Sequence, residues 1–94
     1  MQMTKMKELN IGGLIIPTPI IQGGMGVGIS LSGLASAVAA EGGVGVISAA
    51  GLGMLYKTHS NDYLANCIYG LKEEIRIARR KTKGILGVNI MVAL

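Results

Sequence analysis

The segment Gly23–Gly28 (GGMGVG) lies between a β-rich run and a run with helical spacing. In a parallel α/β protein that is where a phosphate is cradled, because main-chain N–H groups and a helix N-terminus converge there. The spacing excludes the two common versions of such a site. In G-x-G-x-x-G counted from Gly24 the third glycine would fall at Ile29, and counted from Gly26 it would fall at Leu31. The acidic residue that would hold a ribose after the next strand is absent, since Ser48, Ala49 and Ala50 stand there. No Lys-Ser or Lys-Thr follows the glycines, as a P-loop requires. From spacing alone the segment is either a loop in contact with a ligand or a tight turn that uses positive φ. His59 matches no acid–base motif and reads as a surface histidine. Cys67, the one cysteine, excludes an internal disulfide, fits a reducing compartment and reads as a small apolar packing residue. No residue is assigned a catalytic or metal-ligating role.

The elements that position this loop follow from punctuation and period. Residues 1–13 are polar and then turn-like, with Gly12-Gly13 marking a break. Leu14 to Gln22 (LIIPTPIIQ) is β-rich, but Pro17 and Pro19 remove ladder donors, which confines the strand proper to Ile20–Gln22. Ser30 and Ser32 are N-cap candidates for a helix over Ser32–Glu41, with Leu34, Ala35, Val38 and Ala39 on one face and Gly42-Gly43 as its C-cap. Val44–Ala49 is uniformly apolar, as in a strand covered on both faces. Gly51–Asn61 reads as a loop. A second helix is expected over Asp62–Lys81, capped by Asp62, with Leu64, Ile68, Leu71, Ile75 and Ala78 as its apolar stripe. Gly84 stops it, and Ile85–Val92 is a third buried strand. This β-α-β-α-β order implies a parallel sheet with right-handed crossovers.

Composition narrows the class. Half of the 94 residues are hydrophobic and only 15% are charged, which is apolar for an independent domain of this size. Three tyrosines with no Phe or Trp are poor material for a separate core. Three parallel strands with two helices also leave open sheet edges, so the chain reads as the opening of a larger α/β enzyme. The net charge of +4 resides mostly in Lys72, Arg76, Arg79, Arg80, Lys81 and Lys83, mixed with Glu73 and Glu74. That pattern is a solvated helix face and does not point to nucleic acid. From Ile11 to Tyr56 the only formal charge is Glu41, which raises a membrane reading. Pro17, Pro19 and the glycine pairs interrupt any such span, and the second half is charged, so no membrane is expected. MQMTKMKELN carries no secretory signal, and the expected location is cytoplasmic.

The combination of P-I-I-Q-G-G-M (19–25), A-x-E-G-G-x-G-x-I-S (39–48) and G-V-N-I-M (87–91) resembles the start of the nitronate monooxygenase family, also called 2-nitropropane dioxygenases. FMN-dependent enoyl-acyl-carrier-protein reductases share the pattern. The resemblance runs from Ile11 to Leu94. It implies the first β-α-β-α-β portion of a TIM (β/α)8 barrel, incomplete in this chain, with residues 1–94 as the N-terminal fragment of a single FMN-binding domain. By position, Gly24, Met25 and Gly26 would line the flavin ring and offer main-chain N–H groups. Asn89 would hydrogen-bond the cofactor; on residue type alone it is a strand-end asparagine. The implied reaction is oxidation of alkyl nitronates or nitroalkanes with O2. The family's catalytic histidine and phosphate site have no counterpart in this chain, which implies an inactive segment completed by the rest of the barrel or by other copies. A fragment of an enoyl-acyl-carrier-protein reductase and a non-catalytic assembly subunit are the alternatives.

Overall fold

A computed structural model describes residues 6–91 as a mixed α/β unit. The elements are β1 (Leu9–Ile11), β2 (Leu14–Ile16), α1 (Ser32–Ala40), β3 (Val44–Ser48), α2 (Leu52–Leu55), α3 (Tyr63–Lys81) and β4 (Ile85–Asn89).

β1 and β2 form an antiparallel hairpin about Gly12-Gly13, so of the β-rich run Leu14–Gln22 the part before the prolines is a strand as well, not Ile20–Gln22 alone. Its two-residue turn has Gly12 at φ 55° and Gly13 at φ 85°. Positive φ at both central positions matches the right-handed twist of the flanking strands, and glycine adopts it without strain. Asn10 Oδ1 accepts from Gly13 N at 3.1 Å and fastens the turn.

β3 and β4 pair in parallel from Val44↔Ile85 to Ser48↔Asn89. On the other edge of β3, Ile21 makes a parallel bridge to Val44. The expected strand Ile20–Gln22 is thus reduced to one bridge, held by Gln22 N to Val44 O at 3.0 Å and Val44 N to Ile20 O at 2.9 Å. Pro19 removes a donor before it, and after Gln22 the main chain leaves the sheet. β4 ends at Asn89; Val92, the expected end of the strand, lies outside the described residues. β3 is buried as expected, whereas β4 is half-buried and Val88 is 41% exposed.

α1 covers this sheet through small residues. Its buried face is Ser32, Ala35, Ser36 and Ala39, while Leu34 is exposed. Gly45 and Gly84 have no side chain to hold off the helix, and a Cβ on either would collide with the main chain of Ala35 or Ala39. Neither Ser30 nor Ser32 caps α1; Leu31 occupies that position without a side-chain bond. Gly42, at φ 92°, turns the chain out of the helix as expected.

α3 begins where expected, with Asp62 Oδ1 accepting from Leu64 N at 3.1 Å. Its inward face is Asn66, Gly70, Glu74 and Ala78. Leu64, Ile68 and Ile75 of the expected stripe are exposed, and only Leu71 and Ala78 reach the core with Ala35, Ile47 and Leu86. The period is right and the phase is shifted. The segment 51–61 also holds α2, and Tyr56 directly after it packs against Gly70, where a Cβ would come within 2.6 Å of the ring.

Candidate functional site

β3 and β4 end together at Ser48 and Asn89, and the loop after Gln22, which leaves the sheet beside Val44, reaches the same edge at Gly24 against Asn89. In parallel α/β architectures that C-terminal edge is where ligands bind, because the chain there is free of ladder pairing.

Gln22 controls how the first loop leaves the sheet. Its Oε1 accepts from Val46 N at 3.0 Å, the donor that a continuing strand would have engaged. Its Nε2 donates to Ser30 Oγ at 3.2 Å. Ser30 is fully buried, and its Oγ also accepts from Met25 N at 2.9 Å. Ser30 N donates back to Met25 O at 3.2 Å, and Ser30 O accepts from Ser48 N at 2.7 Å. One serine therefore joins the glycine loop, the first parallel segment and β3.

The loop closes against its surroundings through its own side chains. Gly26 (φ 46°) and Gly28 (φ 77°) supply the left-handed turns. Val27 sits over Gly51, itself at φ 68°, so closely that a Cβ there would lie 2.7 Å from the valine methyls. Leu55 of α2 lies over Gly28.

Gly24 faces Asn89. A Cβ on Gly24 would lie 2.5 Å from Asn89 Cβ, 2.7 Å from its Cγ and 3.0 Å from its Oδ1. The main chain of Asn89 is committed to the sheet, with its O accepting from Ala49 N at 3.0 Å. Its exposed side-chain amide has no hydrogen-bond partner among the described residues. The residues singled out in the sequence are therefore brought together, with one adjustment. Met25 N–H is taken by Ser30, whereas those of Gly24 and Gly26 meet no protein acceptor among the described residues. Met25 turns 48% of its surface to solvent.

Gln22 and Ser30 were not singled out as site residues. Ser30 carried a signal as a polar residue at a helix start, but its hydroxyl serves the loop and not the helix.

A second polar cluster stands apart from this edge. Glu74, read from sequence as part of a solvated face, is buried. It accepts from Ser32 N at 2.8 Å, so α3 caps α1 across 42 residues of sequence, and it also accepts from the Tyr56 hydroxyl. Burial pushes the Glu74 carboxyl up, but the donors Tyr56 and Ser32 and the charge of Lys81 outweigh it and hold it below the usual range. Tyr56 is pushed up to about 12 by burial and by the adjacent Glu74. His59 is exposed and stacks on Tyr69 with ring centroids 3.9 Å apart, as a surface histidine does. Cys67 is half-buried beside Gly53. No helix among the described residues is long and apolar enough to cross a membrane.

The family model for nitronate monooxygenase matches residues 7–94. No curated protein and no solved structure matches the chain. The match spans nearly the whole sequence, and the chain belongs to that family.

Proposed function

We propose that this member of the nitronate monooxygenase family contributes the first wall of an FMN site, at the edge formed by Gly24, Met25, Gly26 and Asn89. The observation that carries the reading is the approach of Gly24 to Asn89, which a single methyl group would fill. The donor set fits a planar heteroaromatic ring. Among the described residues the N–H groups of Gly24 and Gly26 and the Asn89 amide meet no protein partner, and apolar Met25 lies between the two glycines. The absence of a side chain at Gly24 lets the main chain lie directly against Asn89, so the loop and the asparagine amide sit at one place on the edge. FMN, when bound, supplies the electron-transfer chemistry.

The protein's share at this edge is orientation. Gly24 and Gly26 N–H would donate to ring acceptors, and the Asn89 amide can donate or accept. Family membership supports an oxidoreductase, and the reading assigns it the oxidation of alkyl nitronates or nitroalkanes by O2 in the cytoplasm. The parallel order of the Ile21 segment, β3 and β4 suits the first three strands of a TIM barrel whose remaining strands complete the pocket.

FMN titration, followed by flavin fluorescence, tests the site. Saturable binding that weakens in Asn89→Ala supports it, and binding indifferent to both Asn89 and Gly24 removes it. Nitronate-dependent O2 consumption by the FMN-loaded enzyme tests the reaction separately.

A further inference from the structure

We infer that Gln22 and Ser30 are positioning residues that fix the main chain of the glycine loop for its ligand. The inference rests on the FMN reading and extends it to two residues that touch no proposed ligand atom. The loop spans Gly23–Gly28, and its glycines restrain the backbone weakly. Something outside it must hold its N–H groups in one geometry for them to act as preorganised donors.

Gln22 and Ser30 have that arrangement. Gln22 Oε1 takes the Val46 N–H at 3.0 Å, which ends strand pairing and turns the chain outward. Gln22 Nε2 then holds Ser30 Oγ at 3.2 Å. The serine hydroxyl accepts from Met25 N at 2.9 Å while Ser30 N donates to Met25 O at 3.2 Å. This reciprocal pair clamps residue 25 through both its N–H and its C=O. Gly24 and Gly26, immediately either side of the clamp, carry N–H groups that meet no protein acceptor among the described residues. Ser30 is fully buried and its carbonyl accepts from Ser48 N at 2.7 Å, so the clamp is anchored to β3. A serine needed only for helix capping would bond α1, and Ser30 does not.

The test uses Gln22→Met, which keeps the shape and removes both amide functions, Ser30→Ala, and the double variant, each in a protein that carries the remaining strands of the proposed barrel. Amide hydrogen exchange of the apo protein reads the loop, and FMN titration with the visible spectrum of the bound flavin reads the site. The expected result is exchange at Met25 and its neighbours at least tenfold faster than in wild type. FMN affinity should fall about tenfold and the flavin band should shift, with far-UV circular dichroism unchanged. The double variant should resemble either single one, because both residues act in one chain of bonds. Unchanged exchange at Met25 in both single variants overturns the clamp. Faster exchange with unaltered FMN affinity and spectrum overturns its positioning role, since a purely structural serine would lower stability alone. If wild type takes up no FMN, the flavin reading fails and the positioning role with it, while unchanged or faster exchange still decides the clamp.

Discussion

Gly24 and Asn89 stand so close that a Cβ on the glycine would be 2.5 Å from the asparagine's own Cβ. They are 65 positions apart in sequence and meet because the first parallel segment and β4 flank β3 on opposite sides. Gly24 is not among the glycines with positive φ, so its requirement is space and not backbone conformation.

Gly24→Ala therefore pushes Asn89 aside or displaces the loop, at a cost of about 1–3 kcal/mol for overpacking. Gly24→Val widens the conflict. The expected outcome is a protein with normal helical circular dichroism that purifies without flavin colour. A yellow Gly24→Val protein with wild-type FMN affinity would show that the loop is only a turn.

Asn89→Ala separates ligand binding from stability. The amide is exposed and makes no hydrogen bond among the described residues, so its removal should leave the thermal midpoint close to wild type. FMN retention should nevertheless fall by about 1–3 kcal/mol, the cost of leaving a ring polar group unpaired. A midpoint that falls with an unchanged FMN dissociation constant would reverse the assignment and make Asn89 a strand-end residue.

The sequence made this edge legible to different degrees. Gly24, Met25, Gly26 and Asn89 stand out because glycine clusters and a polar residue ending an apolar run are conspicuous by type. Gln22 was visible as a strand end, but its side chain standing in for a strand at Val46 N is a tertiary event with no local signature. The hairpin had a signal in Gly12-Gly13 between apolar runs, which the polar N-terminal residues obscured. The periodicity of α3 fixed that it is a helix but not its rotation. The rotation is set by Tyr56 against Gly70 and by Glu74 at α1, both contacts between distant segments.

Glu74 and Tyr56 give that junction a pH signature. The folded carboxyl of Glu74 titrates below its ordinary value, so its stabilisation is present above the unfolded carboxyl pKa and is lost as pH falls through the folded one. Tyr56 behaves oppositely. Its folded pKa is raised from 10.0 to about 12, so its stabilisation is whole below pH 10 and disappears as pH rises towards 12. Glu74→Ala leaves Ser32 N–H and the Tyr56 hydroxyl without their acceptor and should cost about 1–3 kcal/mol per buried group. Thermal melts across pH should show Tyr56→Phe flattening the alkaline decline and Glu74→Gln flattening the acid one. Glu73→Ala, which removes a solvent-facing pair with Arg76, should change the midpoint and both arms less than Glu74→Gln and Tyr56→Phe do. Identical pH profiles for wild type and Tyr56→Phe would show that the hydroxyl is not engaged.

Self-association is the expected behaviour of these 94 residues on their own. Ile21, Ile29, Ile90 and Met91 are 56%, 59%, 68% and 76% exposed, and they belong to the parallel segments or the turns beside them. Among the described residues, β4 pairs only with β3, so its other edge presents free N–H and C=O groups. Apolar side chains next to an open strand edge favour pairing with another copy or with further strands. Burial of those side chains is worth about 1.5–3 kcal/mol each, more than dispersed polar contacts would return. Sedimentation at rising concentration should therefore show species heavier than the monomer. Lysine at both Ile21 and Val88 should shift the distribution towards monomer, because a charge beside an edge opposes pairing. A monodisperse 9.7 kDa species that binds FMN tightly would mean that this edge needs no cover and that the first wall of the site is sufficient alone.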